Sequence, residues 1–341
     1  MATEAAPGIG AYDPKTYELL SFHDQREKFF TGEDTPRNYL ERCLETISSC
    51  DEQVKAWAYL NADPARVAAD ASTARYAAGK PLSVVDGMPL GIKDLIETVD
   101  MPTEYNCELF IGNQPIRDAA SVYFLRKGGA IILGKTVTVT LGGGDPSKSR
   151  NPFDTRRTPG GSSSGSCAAI GSRMIPGALG THARGSTIRP ASFCGAYGLK
   201  ATFGALNRQG GFSAAESMDH LGVIAGSIED MWIVARYISE HAGGDPGHPG
   251  MYGSRTPPPA RKPERLIFLE GAGWAETDEA SKDAFEGVLR DLEAKGVEIY
   301  TRKDDAAIEA YEQETSQSPE LWRQLYRFEM RWPMYQYLDY D

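Results

Sequence analysis

Hydrophobic residues recur at helical spacing in the first part of the chain, over about residues 14–50, and an alanine-rich stretch predicts a further helix over about 63–79. Thr35 followed by Pro36 marks a helix start, because threonine caps helix N-termini well and proline is favoured at the first helical position. Five apolar residues beyond this start fall on one helical face: Tyr39, Leu40, Cys43, Leu44 and Ile47. The pattern therefore predicts an N-terminal helical region over about residues 14–79.

The middle of the chain alternates short apolar runs with glycine-rich turns. The segment GMPLGIKDLIET (87–98) predicts a turn, a short strand and a loop. A helix over 118–127 is predicted next, followed by a buried strand in AIILGKT (130–136). A further strand is predicted near 176–180, and VIAGS (223–227) is predicted to be the end of another.

The last third of the chain continues this alternation. Ser227, with Asp230 three residues later, predicts the N-terminal cap of a helix. Residues 242–264 are rich in proline and glycine and predict a surface excursion. After it we expect a strand over 265–271, a helix over 279–295 and a second strand over 297–301. Residues 317–340 are aromatic and helical in pattern, and the whole alternation is typical of an α/β protein.

Composition narrows the class of protein. The formal net charge of the 341-residue chain is −11, which argues against a nucleic-acid partner or an anionic membrane surface. The five cysteines are odd in number and lack zinc-like spacing, so they predict reduced structural thiols in a cytosolic protein. No signal peptide and no run of 18 uncharged apolar residues is present. A cytoplasmic protein without a membrane span is therefore predicted.

Two clusters of serine and glycine are the strongest candidates for a nucleophilic site. They are PGGSSSGS (159–166), which ends a long polar loop over 142–166, and GTHARGSTIRPASFCGAYGLK (180–200). Glycine lets backbone N–H groups point inward, and such turns form oxyanion holes. No GxSxG segment is predicted at a strand-to-helix turn and the SxxK pattern is absent, so a histidine base is not favoured. A lysine can act as base when burial keeps it neutral, and Lys93 lies in the apolar segment PLGIKDL.

Three segments together resemble the amidase signature family: GMPLGIKD (87–94), TPGGSSSGS (158–166) and GTHARGSTIRPASFCGAYGLKATFG (180–204). The resemblance extends over about residues 35–340. It implies a single α/β domain over residues 1–341, with a large mixed twisted central sheet covered by helices on both faces. Its expected parts are N-terminal helices over about 14–79 and a catalytic core over about 80–240. The remainder of the sheet and helices is expected over 265–341.

The resemblance also implies a Ser–cisSer–Lys triad. The nucleophile of that family lies 24 residues after the relay serine, and Ser186 lies 24 residues after Ser162. Lys93 is the implied base, and the Gly161–Ser162 peptide is expected to be cis, although a non-proline cis bond costs about 3–4 kcal/mol. Four backbone N–H groups are expected to hold the oxyanion, those of Ala183, Arg184, Gly185 and Ser186. No metal or cofactor is needed.

Several neighbouring residues have alternative roles. Ser163 and Ser164 are rivals for the relay, although hydrogen bonding to the loop backbone is the preferred role for both. The run Gly142, Gly143, Gly144 either lines the acyl side of the pocket or forms a flexible turn, and Arg184 is a further pocket candidate. Relatives commonly have Asp or Gln at the position of His182 and Gly at that of Arg184. His182 either hydrogen-bonds the loop or tunes Lys93. Arg189 is expected to have a structural role, as an ion pair or a loop clamp, and Cys194 is expected to pack in the core.

The expected activity is hydrolysis of a carbon–nitrogen acyl bond in a small molecule, such as an aryl amide or a carbamate (urethane), by a monomer or homodimer. Two alternatives stay open. One is a glutamine amidotransferase subunit that supplies ammonia to a partner, and the other is a truncated, non-catalytic relative that acts as a binding module. The end at Asp341 suggests a chain without the usual C-terminal part of the family.

Overall fold

The computed structural model describes residues 16–143 and 145–338, with side chains to residue 335. The chain divides into two compact units, Met1–Pro257 and Pro258–Asp341, which are described separately. The boundary lies within the proline- and glycine-rich segment that the sequence predicts as a surface excursion. The single-domain organisation stays a prediction.

The predicted N-terminal helices are present in the first unit as α1 (Phe22–Thr31), α2 (Pro36–Val54) and α3 (Ala62–Ala77). Gly32 ends α1 in a left-handed conformation with φ 74°, which splits the long helical pattern into two helices. The Oγ1 atom of Thr35 accepts a hydrogen bond from the backbone N–H of Asn38 at 3.1 Å, which confirms the predicted cap.

A mixed six-stranded sheet forms the centre of this unit and confirms the predicted fold class. Its strands are β1 (Trp57–Leu60), β2 (Pro89–Lys93), β3 (Ile131–Thr136), β4 (Gly177–His182), β5 (Tyr197–Lys200) and β6 (His220–Ala225). Their order is β1-β3-β2-β4-β6-β5. The strand β2 pairs in parallel with both β3 and β4, whereas the outer pairings are antiparallel. The end of β2 therefore lies between two parallel neighbours.

Helices cover both faces of this sheet, as the packing of two neighbouring residues of β3 shows. Ile132 packs in one cluster with residues of α4 (Ala120–Lys127) and α7 (Ile228–Ala242). Ile131 packs in the other with residues of α5 (Ser164–Gly171) and α6 (Ile188–Phe193). Each fully buried aliphatic side chain contributes about 1.5–3 kcal/mol, so the two clusters account for much of the stability of this unit.

The cap predicted for α7 is also confirmed, since Ser227 Oγ accepts the backbone N–H of Asp230 at 3.0 Å. The carboxylate of Asp230 accepts the N–H groups of Phe22 and His23 at the start of α1. One buried carboxylate thereby links the first turns of two helices.

The second unit contains a two-stranded parallel sheet of β7 (Arg265–Ile267) and β8 (Glu298–Tyr300). Its helices are α8 (Glu279–Ala294), α9 (Ala306–Thr315), α10 (Ser318–Glu329) and α11 (Arg331–Leu338). The helical pattern predicted over 317–340 is thus interrupted at Met330, which caps α10. Throughout the residues that the structure describes, no helix combines the length and apolar character required to cross a membrane.

Candidate active site

Lys93 is the last residue of β2 and is completely buried at the centre of the sheet. Its Nζ atom lies 2.6 Å from Ser162 Oγ and 2.6 Å from Thr181 Oγ1. Thr181 belongs to β4, the parallel neighbour of β2, so the strand register brings this hydroxyl to the lysine. The structure therefore joins two of the three predicted triad residues directly and adds a threonine that the sequence analysis missed.

Burial determines the electrostatics of this lysine. Desolvation lowers the pKa of Lys93 from 10.5 to about 7, against the opposing influence of the Asp219 carboxylate and the Cys167 thiol. Near neutral pH a substantial fraction of the side chain is therefore an uncharged amine. Such an amine is able to accept a proton from a hydroxyl 2.6 Å away.

Ser162 lies in a tight turn immediately before α5. Gly160 has φ 104°, and a Cβ atom at this position would lie only 2.3 Å from the Phe193 ring, so glycine is required there. The described residues contain no cis peptide bond, and the expectation of a cis Gly161–Ser162 bond is wrong for this structure. The trans peptide, which is intrinsically favoured, already brings Ser162 Oγ to the lysine.

Ser186 lies in the turn between β4 and α6 and is half-buried. Its carbonyl oxygen accepts the N–H of Ser163 at 3.2 Å, and a Cβ atom on Gly161 would lie 3.4 Å from its Cα. The two serine-rich turns are thus in contact. Among the described residues no hydrogen bond joins the side chains of Ser186 and Ser162, so the structure places the predicted nucleophile beside the relay without linking them.

The turn over 183–186 has the glycine that its backbone requires, since Gly185 has φ 117°. The Gly185 N–H donates to Nε2 of His182 at 3.0 Å, which removes it from the predicted set of oxyanion donors. The N–H groups of Ala183 and Ser186 donate to no group within the described part of the chain. Arg184, in the same turn, is exposed.

A second buried lysine lies beside the site and was not predicted. Lys135 Nζ is 3.1 Å from Asp94 Oδ1 and 2.5 Å from Thr103 Oγ1. Burial lowers the pKa of Lys135 and raises that of Asp94, and the attraction between the two opposes both changes. Asp94 therefore pairs with this second lysine, which leaves Lys93 to the hydroxyl groups.

The rival serines bind the surrounding loops. Ser163 Oγ donates to the carbonyl of Thr181 at 3.2 Å, and Ser164 Oγ lies 2.7 Å from Ser147 Oγ. Both contacts agree with a role in bonding loops, although the partner of Ser164 at 2.7 Å is a side chain. Neither residue has a hydrogen bond to Lys93 within the described residues.

Arg189 and Cys194 also follow their predicted structural roles. The Nε atom of Arg189 donates to the carbonyl of Gly160, which clamps the first serine turn to α6. Cys194 is fully buried in the hydrophobic cluster around α5 and α6, and burial holds the pKa of its thiol well above the usual value.

The predicted pocket glycines are only partly described. Gly142 has φ 72° and ends a short 3₁₀ helix (Thr140–Gly142), and a Cβ atom there would lie 3.2 Å from Leu95 Cδ1. Gly143 follows it, whereas Gly144 lies outside the described residues. Among the described residues no group of three or more His, Cys, Asp or Glu side chains is placed to hold a metal ion.

Comparison with known proteins agrees with this geometry. The profile of the Amidase family matches residues 38–313. The chain is 36% identical over 233 residues to the A subunit of glutamyl-tRNA(Gln) amidotransferase from Roseiflexus sp. (strain RS-1), an alignment that covers 67% of this chain and 47% of that protein. The chain thus spans about half the length of such relatives.

Solved structures are similar in fold as well. A vestigial protein complex connected with the origins of an s-triazine catabolic enzyme has a TM-score of 0.71 and 30% identity, with 84% of this chain and 64% of that chain covered. The peptide amidase of Stenotrophomonas maltophilia has a TM-score of 0.69 and 25% identity, with 82% and 61% covered.

Proposed function

Because this chain belongs to the Amidase family, we propose that it hydrolyses a carbon–nitrogen acyl bond with Ser186 as nucleophile, Ser162 as proton relay and Lys93 as base. One observation carries the proposal. A fully buried lysine, whose pKa is lowered to about 7, has its Nζ atom 2.6 Å from the hydroxyl of Ser162. Burial of a charged amine destabilises the folded state, and residues with strongly shifted pKa values are typical of functional sites.

The proposed first half-reaction forms an acyl-enzyme. Ser186 Oγ attacks the substrate carbonyl carbon and passes its proton to Ser162 Oγ, whose own proton moves to Lys93 Nζ. The backbone N–H groups of Ala183, Arg184 and Ser186 are the proposed donors to the oxyanion. When the tetrahedral intermediate collapses, the C–N bond breaks. The proton on Lys93 then passes through Ser162 to the leaving nitrogen.

The second half-reaction regenerates the enzyme. A water molecule attacks the acyl carbon of the Ser186 ester and gives up its proton along the same path. Ser186 then leaves with that proton, and a carboxylic or carbamic acid is released. Ser162 and Lys93 thus mediate each proton transfer of the cycle.

For the substrate we propose a small linear amide, an aryl amide or a carbamate. The support is indirect: the turn GTHARGST departs from the commoner family pattern, and Arg184 lies exposed beside the nucleophile. A cytoplasmic location is proposed as well, and the five free cysteines support it.

A second candidate follows from the names of the relatives. The glutamyl-tRNA(Gln) amidotransferase A subunits of several bacteria are 33–37% identical to this chain over about 59–79% of its length. Release of ammonia from glutamine for a partner would use the same proposed triad. Glutaminase activity measured beside p-nitroanilide and aryl carbamate hydrolysis distinguishes the two functions.

The test of the principal proposal is a substrate panel assayed with the wild type, S186A and S192A. Ser192 is an exposed serine on α6, six residues from Ser186, and serves as the matched control. We expect hydrolysis of at least one amide or carbamate by the wild type and S192A, and none by folded S186A. Turnover by S186A at the wild-type rate would contradict the proposal.

A further inference from the structure

We propose that His182 is a positioning residue: its neutral imidazole accepts the Gly185 N–H and thereby holds the turn that carries Ser186. This inference rests on the proposed function of Ser186. It assigns a role to a buried residue that the proposed proton relay does not use.

The contacts of the imidazole carry the argument. His182 is the last residue of β4 and is 8% exposed, so its ring is fixed between the sheet and the turn. The Gly185 N–H lies 3.0 Å from Nε2 and the Thr187 N–H lies 3.3 Å from Nδ1. The two donors flank Ser186 in the sequence. One side chain therefore faces the backbone on both sides of the proposed nucleophile.

The two bonds are alternatives, because a neutral imidazole accepts only at the nitrogen that lacks a proton. The shorter bond, to Gly185, selects the tautomer protonated at Nδ1. Gly185 has φ 117°, a conformation that other residues rarely adopt, and its N–H points back towards the ring. The glycine and the histidine thus have complementary roles in shaping one turn.

The surroundings keep this ring neutral. The groups that face it are His220, Lys200, Lys93 and Arg189, and all of them oppose a further positive charge. The His220 ring lies edge-on at 6.1 Å between centroids. Burial is the largest cause of the lowered pKa of His182, which is about 4. The acceptor is therefore retained throughout the pH range in which Lys93 changes its charge.

A neutral acceptor at this position has a consequence for the base. A carboxylate here would attract the ammonium form of Lys93 and raise its pKa, whereas histidine supplies the hydrogen bond without that charge. The proposal thus predicts different effects for three substitutions. Gln keeps a neutral acceptor near the Nε2 position, Asp keeps an acceptor but adds a negative charge, and Ala removes the acceptor.

The experiment measures kcat and KM against pH for H182Q, H182D and H182A on the substrate that the wild type hydrolyses. We expect H182A to lower kcat by roughly 10–100-fold with KM little changed, because a misplaced turn impairs the chemical step. H182Q should restore at least a third of wild-type kcat. In H182D the acid limb of kcat/KM should move to higher pH, whereas in H182Q it should stay in place. H241A, which changes an exposed histidine of α7, is the matched control and should behave as wild type.

Two outcomes would overturn the inference. One is equal kcat for H182A and the wild type; the other is an equal loss in H182Q and H182A. The tautomer is tested independently of activity by ¹⁵N NMR of histidine-labelled wild type, where the Nε2 of His182 should have the shift of an unprotonated, hydrogen-bonded nitrogen. A protonated Nε2 would refute the role of His182. Inactivity of the wild type on every substrate, with the NMR result as expected, would refute only the proposed function.

Discussion

Replacement of Lys93 by methionine should remove the proposed base and, with it, the pH-dependent cost of burying its charge. The pKa of Lys93 is 10.5 when exposed and about 7 in the fold, a difference of about 3.5. At 1.36 kcal/mol for each pKa unit, burial of this amine destabilises the folded state by ~5 kcal/mol below pH 7. The unfolded chain binds the proton more tightly, so the destabilisation is greatest below pH 7 and declines to zero as the pH rises from about 7 to 10.5.

Methionine has a similar length and no charge, but it leaves the hydroxyls of Ser162 and Thr181 without their amine partner. Loss of those two hydrogen bonds costs about 1–3 kcal/mol each and does not vary with pH. The pH dependence of the difference between K93M and the wild type therefore isolates the buried charge. From the two pKa values, the stability of K93M relative to the wild type should be ~3 kcal/mol more favourable at pH 6 than at pH 9.

The assay is urea-induced unfolding followed by far-UV circular dichroism and tryptophan fluorescence at both pH values. The transition of the 1–257 unit is fitted for the wild type, K93M and K80M. Lys80 is exposed, so K80M reports any general effect of losing a lysine. A K93M–wild-type difference that is equal at pH 6 and pH 9 would refute the reasoning, because Lys93 would then keep an ordinary pKa in the fold.

Three further predictions concern the surroundings of this lysine. Loss of the Thr181 hydroxyl in T181V should lower the pKa of Lys93, since an acceptor of the ammonium form is removed. The acid limb of kcat/KM, expected near pH 7 for the wild type from the pKa of Lys93, should therefore move to lower pH, and an unchanged limb would contradict the contact. G185A should lower the free energy of unfolding by about 1–3 kcal/mol, because alanine is strained at φ 117°, and should abolish most of the hydrolytic activity. G273A, where a Cβ atom would meet open space, should have little effect on the melting temperature or the rate of hydrolysis. D94N should destabilise the fold by about 3–5 kcal/mol in urea unfolding, because Lys135 is left buried without its carboxylate, and a loss below 1 kcal/mol would argue against that ion pair.

Much of the site could be predicted from the sequence because it lies in local motifs. The fixed interval between Ser162 and Ser186 and the apolar setting of Lys93 are properties of short segments. Thr181 was missed because its contact with Lys93 depends on the parallel register of β2 and β4, which no local pattern reveals. The partner of Asp94 was missed for the same reason, since Lys135 belongs to a different strand.

The predicted fold followed elements with strong periodicity. The helices α3, α4 and α8 and the strand β3 were located to within a few residues. The strands β1 and β5 were missed. Three of the four residues of β1 are exposed and none of β5 is fully buried, so neither has the alternation that marks a half-buried strand. The cis peptide was expected only from the resemblance, and the local sequence carries no signal for it.

The central claim, that Ser186 is the nucleophile, is tested most directly by covalent labelling of the folded protein. A fluorophosphonate probe is added to the wild type, S186A and S192A, and the modified residue is located by mass spectrometry of the peptides. The account predicts one adduct on Ser186 in the wild type and S192A, and no adduct in S186A. An adduct that persists in S186A would contradict this claim by identifying another nucleophile. An unlabelled wild type would contradict it and favour a binding role for this chain.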